Sequence, residues 1–139
     1  MAAVEHPNVE LMRRAERAFS TGDLDTLSEI LSDDVVVHVP GRSALSGDHT
    51  GRDALLAYNE RIFELSGGTY ENEVHDILAT DEHIVVLQRN RATRGQKTLD
   101  INEALVLHVR AGKIAEVWEL YANQRAFDAF WSENTPGRS

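Results

Sequence analysis

Apolar residues fall at helical spacing near the start of the chain and at alternate positions through most of its second half. Leu11, Met12, Ala15, Ala18 and Phe19 form one apolar arc, with Glu10, Arg13, Arg14, Glu16 and Arg17 on the other side. This spacing predicts a helix opened by Pro7 and stopped by Gly22. Asp23 then caps a short second helix through Leu24, Leu27, Ile30 and Leu31, ending at Ser32-Asp33-Asp34 and packed antiparallel to the first. Val35–Val39 is a β-branched run stopped by Pro40-Gly41, which predicts a short buried strand. Arg42–Thr50 is polar and reads as a loop. A third helix follows from Gly51 through Leu55, Tyr58, Ile62, Phe63 and Leu65, closed by Gly67-Gly68. From there the chain alternates: Tyr70–Ala79, His83–Thr93, Thr98–Val109 and Lys113–Tyr121 read as four strands joined by hairpin-length turns. Gln124–Ser132 is a short amphipathic helix, and the polar tail Glu133–Ser139 is expected to be mobile.

Helices, one strand, a helix and then a meander is an α+β order rather than β-α-β alternation. The expected architecture is a cone-shaped, curved antiparallel sheet with the N-terminal helices packed over its concave face. At 139 residues the chain fits a single domain spanning 1–139, with its core at about 8–131 and enough burial for one hydrophobic centre.

Charge and composition then exclude several function classes. Asp and Glu number 23 against 14 Lys and Arg, a net charge of −9, which disfavours nucleic acid and anionic membrane as partners. There is no cysteine, hence no disulfide, thiolate metal site or Cys nucleophile. Apolar runs are short, as in Ile84–Leu87 and Ala104–Leu107, and no basic segment followed by an apolar one opens the chain, so neither a membrane span nor a signal peptide is expected and the cytoplasm is the expected location. His6, His49, His75, His83 and His108 show no metal-ligand spacing, and no metal is expected. A Gly-x-Ser-x-Gly elbow, a P-loop and a dinucleotide fingerprint are all missing, so the expected chemistry is cofactor-free.

The candidate chemistry lies in carboxylates placed inside apolar strands, where an unpaired charge is costly unless it is used. Glu119 shares strand parity with Val117 and Tyr121, so a concave face carrying those two puts Glu119 in a partly dry cavity suited to proton transfer. The competing reading is a buried ion pair with Arg89 that only closes the sheet. Arg89 and Arg91 share a face with Val85 and Leu87; pointed inward they hold or polarise an oxygen, pointed outward they run into solvent. Glu103, on the parity of Leu105 and Leu107, reads as a second pocket acid or as a rim partner of an arginine. His38 sits in the valine run as a possible base or hydrogen-bond donor, though its parity opposite Val37 and Val39 favours a core or dimer-face position. Tyr58 and Tyr121 can donate to a ligand oxygen or simply pack.

The succession Gly22-Asp23-Leu24, Asp33-Asp34-Val35, His38-Val39-Pro40-Gly41, Gly51-Arg52-Asp53-Ala54 and Gly112-Lys113-Ile114-Ala115-Glu116-Val117-Trp118-Glu119 resembles the SnoaL-like branch of the nuclear transport factor 2-like superfamily. The resemblance covers roughly residues 8–131. It implies a cone-shaped fold, a pocket between sheet and helices for a small hydrophobic or polycyclic molecule, and commonly a homodimer through the outer sheet face. The fold hosts many functions, so the site must decide among them. A ketosteroid isomerase-like site would need a base, an oxyanion tyrosine and a second acid where this chain has Val39, Ala15 and Leu105. Against a limonene-epoxide-hydrolase-like site, Glu119 and Arg89 fall on two of the required groups, Arg91 replaces the second acid, and Val37 and Val39 replace the water-holding pair. A SnoaL-type cyclase requires only one acid or base in an apolar pocket, and Glu119, lined by Val39, Leu105 and Val117, meets that requirement. A non-catalytic hydrophobic-ligand binder and a dimeric interaction protein of the same fold are the alternatives.

Overall fold

The structure, a computed structural model, describes residues 5–132; the expected tail Glu133–Ser139 lies outside them. Helix α1 runs Pro7–Thr21, with the His6 side chain accepting from the Asn8 N–H at its start and left-handed Gly22 at its end. Asp23 caps α2, Leu24–Ile30, by accepting from the Thr26 N–H at 3.2 Å. The chain passes straight from Ile30 into strand β1, Leu31–Val39, and the polar triplet expected to form a turn instead sits in a bulged stretch of that strand. Strand β2, Gly47–Thr50, pairs antiparallel with β1 where the sequence predicts a loop; its residues are too polar and too few to show alternation. Helix α3 spans Arg52–Leu65. Strands β3, Glu71–Ala79, β4, His83–Arg94, β5, Lys97–Arg110, and β6, Lys113–Tyr121, form the expected meander, followed by α4, Gln124–Trp131.

The sheet is six-stranded in the order β2-β1-β6-β5-β4-β3 and open at both edges. Every pairing is antiparallel except β1 with β6, where Val37 lies opposite Val117 in parallel register. The sheet is therefore mixed rather than wholly antiparallel: α3, β2 and the whole meander separate β1 from β6 in sequence, and the chain re-enters beside β1 in the same direction. The β4–β5 and β5–β6 connections are both two-residue turns, Gly95-Gln96 and Ala111-Gly112. Ala111 and Gly112 both have positive φ, the requirement of a two-residue type I′ turn, and a bulge at Ala115 then shifts the pairing by one residue, placing Leu105 opposite Glu119 and Glu103 opposite Tyr121.

All four helices pack on the concave face. Their buried residues, among them Met12, Leu27, Leu55, Ile62 and Phe130, join Val35, Val37, Ile84, Val86, Leu99 and Leu107 of the sheet in one core. Helix α4 closes one end, with Trp131 wholly buried against Phe127 and Phe130. Its C-terminal carbonyls are met by cations from the β4–β5 hairpin: Arg94 donates to Phe130 O at 3.0 Å, and Lys97 Nζ to Ala129 O at 3.0 Å. At its other end Gln124 donates to Pro40 O. Gly41 makes that approach feasible, since its φ is +93° and a Cβ there would stand 2.2 Å from Asp128 Oδ1 and 2.3 Å from Gln124 Nε2. Gly41→Ala is expected to lower stability by about 2 kcal/mol through backbone strain and overpacking together. A drop in thermal midpoint with an unchanged circular dichroism spectrum checks this.

Candidate functional site

Strand parity assigns the residues of β4, β5 and β6 to two faces. The concave face carries Gln88 and Asn90 from β4, Glu103, Leu105 and Leu107 from β5, and Val117, Glu119 and Tyr121 from β6. Between this face and helices α1 and α3 lies a cavity of about 720 Å³. Val37, Leu105, Leu107 and Val117 form its floor, and Ala15, Leu55 and Ile62 its roof. Its exposed lining residues, Arg17, Ser20, Phe63, Glu71, Asn72 and Val74, mark an opening between α1, α3 and β3. The volume falls in the range of sites that enclose a drug-sized molecule.

Glu119 stands on the wall of this cavity, 8% exposed. Its Oε2 accepts from the Tyr58 hydroxyl at 2.6 Å and its Oε1 from the Tyr121 hydroxyl at 3.0 Å. Tyr58 comes from the inner face of α3, where its ring meets that of His49, and it lines the cavity itself. Tyr121, the last residue of β6, is held by stacking on Phe127 with ring centroids 3.8 Å apart. Burial, followed by the charge of Glu119, pushes both phenols well above their usual range, so they remain hydrogen donors.

Glu103, 4% exposed, is the diagonal neighbour of Glu119 on the same face. Gln88 donates to its Oε1 at 2.7 Å, while its Oε2 has no partner among the described residues. Burial, then the nearby Glu119 charge, drive the Glu103 carboxyl well above the ordinary carboxylate range. No Lys or Arg side chain hydrogen-bonds either glutamate among the described residues. Two buried carboxyl groups therefore stand side by side, one of them held by two phenolic donors, an arrangement equipped to take up and return a proton.

The structure brings Glu119, Tyr58, Tyr121 and Glu103 together, with Leu105 and Val117 on the adjoining cavity wall. It separates the others from them. Arg89 does not orient Glu119: the β4 parity that buries Gln88 turns Arg89 to the convex face, where it forms a two-pronged pair with Asp100 at 2.6 Å for both contacts. Arg91 lies on that same face beside Glu71 and Glu73. His38 is also convex, bonded to Asp48 at 2.7 Å and Glu116 at 2.5 Å and stacked on Trp118, so it is not a pocket residue. Those two carboxylates raise its pKa, Glu116 being the larger influence. Val39 is packed in the core rather than on the cavity wall. Gln88, Asn90, Tyr70 and Asn72 were missed. Gln88 and Asn90 share parity with Ile84 and Val86, the most buried residues of β4, and that shared parity is the signal that identifies them.

Residues 12–117 match the sequence profile of the SnoaL-like domain. The chain belongs to the SnoaL-like family. An uncharacterised protein of Mycobacterium tuberculosis, Rv0034, is 35% identical over 126 residues, covering 90% of this chain and 96% of that protein. Among solved structures, this SnoaL-like chain is similar to Bal32a, from a soil-derived mobile gene cassette: TM-score 0.84 and 35% identity, over 89% of this chain and 95% of that one. IdmH of Streptomyces antibioticus, described as a candidate polyketide cyclase, shares the fold at a TM-score of 0.67 and 24% identity, over 85% of this chain and 94% of IdmH. No helix among the described residues of the SnoaL-like chain is long and apolar enough to cross a membrane.

Proposed function

We propose that this SnoaL-like protein binds a small hydrophobic or polycyclic molecule in the 720 Å³ cavity and performs cofactor-free acid–base chemistry of the cyclase type on it, with Glu119 as the proton-transfer group. The observation that carries the reading is a carboxyl group held by two phenolic hydroxyls on the wall of a cavity whose floor and roof are apolar. In water a carboxylate is a weak base toward carbon, but desolvation and fixed placement increase its reach. Glu119 would abstract a proton next to a carbonyl, and Tyr58 and Tyr121 would hold the carboxyl group in place as its charge changes. The fold shared with IdmH agrees with this reaction class. The expected result is deuterium incorporation next to the carbonyl of polycyclic ketones and diketones incubated with the protein in D2O, followed by NMR. Saturable binding without exchange would leave a ligand-binding protein, and no binding would remove both readings.

A homodimer through the convex sheet face is the association we propose. That face exposes Leu78, Leu87 and Leu120, which are 49%, 41% and 51% accessible, around Val85, Val106 and Trp118, and no helix among the described residues covers it. Leu120→Glu is expected to shift the protein from dimer to monomer in light scattering after size exclusion; a wild-type monomer would overturn the proposal.

A further inference from the structure

The mechanism leaves one polar cluster of the cavity unused. Asn90, on β4, is 1% exposed, and its amide nitrogen donates both to Tyr70 Oη at 2.9 Å and to Asn72 Oδ1. Spending both amide hydrogens in this way engages an acceptor on each of the two partners. What Tyr70 and Asn72 keep is donor capacity: with one hydrogen bond between the two, two of their three polar hydrogens meet no acceptor in the hydrogen bonds of the described residues. Both side chains line the cavity and lie close enough to interact with each other, so their donors converge. Burial pushes the Tyr70 phenol well above its usual range and keeps it protonated. The Tyr70 ring is held edge-on to Phe63 and against Trp131.

We propose that Tyr70 and Asn72, oriented by Asn90, form a second polar pole of the cavity that takes a neutral hydrogen-bond-accepting oxygen of the ligand, a ketone or quinone carbonyl. This inference rests on the cavity being a ligand site. Tyr70 Oη abuts Asn90 on β4, opposite Ile101, while Glu119 is on β6, opposite Leu105, so the two anchors are two strands apart across the sheet and offset by four residues along it. The two poles therefore suit an elongated ligand with its reacting carbon at Glu119 and a carbonyl at the far end, its middle crossing the sheet at Gln88 beneath Leu55 and Ile62 of the roof. Two neutral donors, with no Lys or Arg hydrogen-bonded to either among the described residues, select a carbonyl over a carboxylate or phosphate.

The test uses two probes of matched shape, 2-acetylnaphthalene and 2-ethylnaphthalene, titrated calorimetrically. Wild-type protein is expected to prefer the ketone about five- to tenfold, the worth of one or two net hydrogen bonds. Its bound carbonyl infrared band is expected at lower frequency than in an apolar solvent. Tyr70→Phe, which keeps the ring packing, and Asn72→Ala, at an exposed edge-strand position, should each bring the preference close to one and reverse the band shift, with affinity for the ethyl probe unchanged. A preference that survives both substitutions overturns the subsite, as does equal binding of the two probes by the wild type. Binding of neither probe overturns the ligand-site reading and the subsite together, which separates the two failures.

Discussion

Replacing Glu119 by glutamine is expected to slow deuterium exchange into a bound ketone by a factor of 10² to 10⁴, the usual contribution of a positioned general base. Ligand affinity should change little. Glutamine has the shape of glutamate, and its carbonyl oxygen can still accept from one of the two tyrosines that now donate at 2.6 and 3.0 Å. What it cannot do is accept a proton from carbon. Removing Glu119 also relieves the buried pair, so the fold should be no less stable. Loss of folding would mark Glu119 as structural and sink the catalytic reading. Tyr58→Phe provides the graded control: the carboxylate keeps Tyr121 as donor but loses the shorter of its two hydrogen bonds, and an intermediate loss in exchange rate is expected, with the ring packing against His49 retained.

How far the sequence carried this site can be followed along β4. The alternation of His83–Arg94 was legible, and so was the fact that Arg89 and Arg91 share a face with Val85 and Leu87. Which face looks inward was not, because both parities of the strand are apolar near its start and polar near its end. Attention to charge favoured the arginines, whereas burial favours Gln88 and Asn90: a neutral amide can be satisfied by two or three hydrogen bonds, while a buried guanidinium needs an opposing charge. Glu119 was legible for the opposite reason. On β6 it shares parity with the apolar Val117 and with Tyr121, and the bulge at Ala115 lies before this stretch, so the alternation from Glu116 to Tyr121 is unbroken. The α+β order and the meander followed from periodicity alone. The parallel pairing of β1 with β6 and the edge strand β2 depend on contacts between segments far apart in sequence, and the four polar residues of β2 carry no pattern of their own.

Glu103 supplies the second large effect, and it appears in stability as a function of pH. In the unfolded chain this carboxyl ionises in the ordinary range; in the folded protein, burial and the neighbouring Glu119 raise its pKa well above that range. The folded state thus holds a proton that the unfolded state releases. Stability from this group is fully present below the unfolded pKa, declines as pH rises above it, and is lost once pH passes the folded value. Glu103→Gln removes the titration while preserving volume and an acceptor for the Gln88 amide, and its own amide can donate where Oε2 now has no partner. The variant is expected to match the wild type near pH 4 and to exceed it at pH 8 by about 1–3 kcal/mol, the scale of one unsatisfied buried group, or roughly 3–9 °C in thermal midpoint for a domain of this size. Parallel melting curves for the two proteins from pH 4 to pH 8 would show that the two carboxyls do not share a proton as described. An infrared carboxylic-acid band present at pH 7 in the wild type and lost in Glu103→Gln assigns the retained proton to Glu103 directly. That proton also bears on turnover: if Glu103 returns it to the product after Glu119 has taken one from the substrate, Glu103→Gln will leave deuterium exchange at the first carbon intact and slow only the later protonation step.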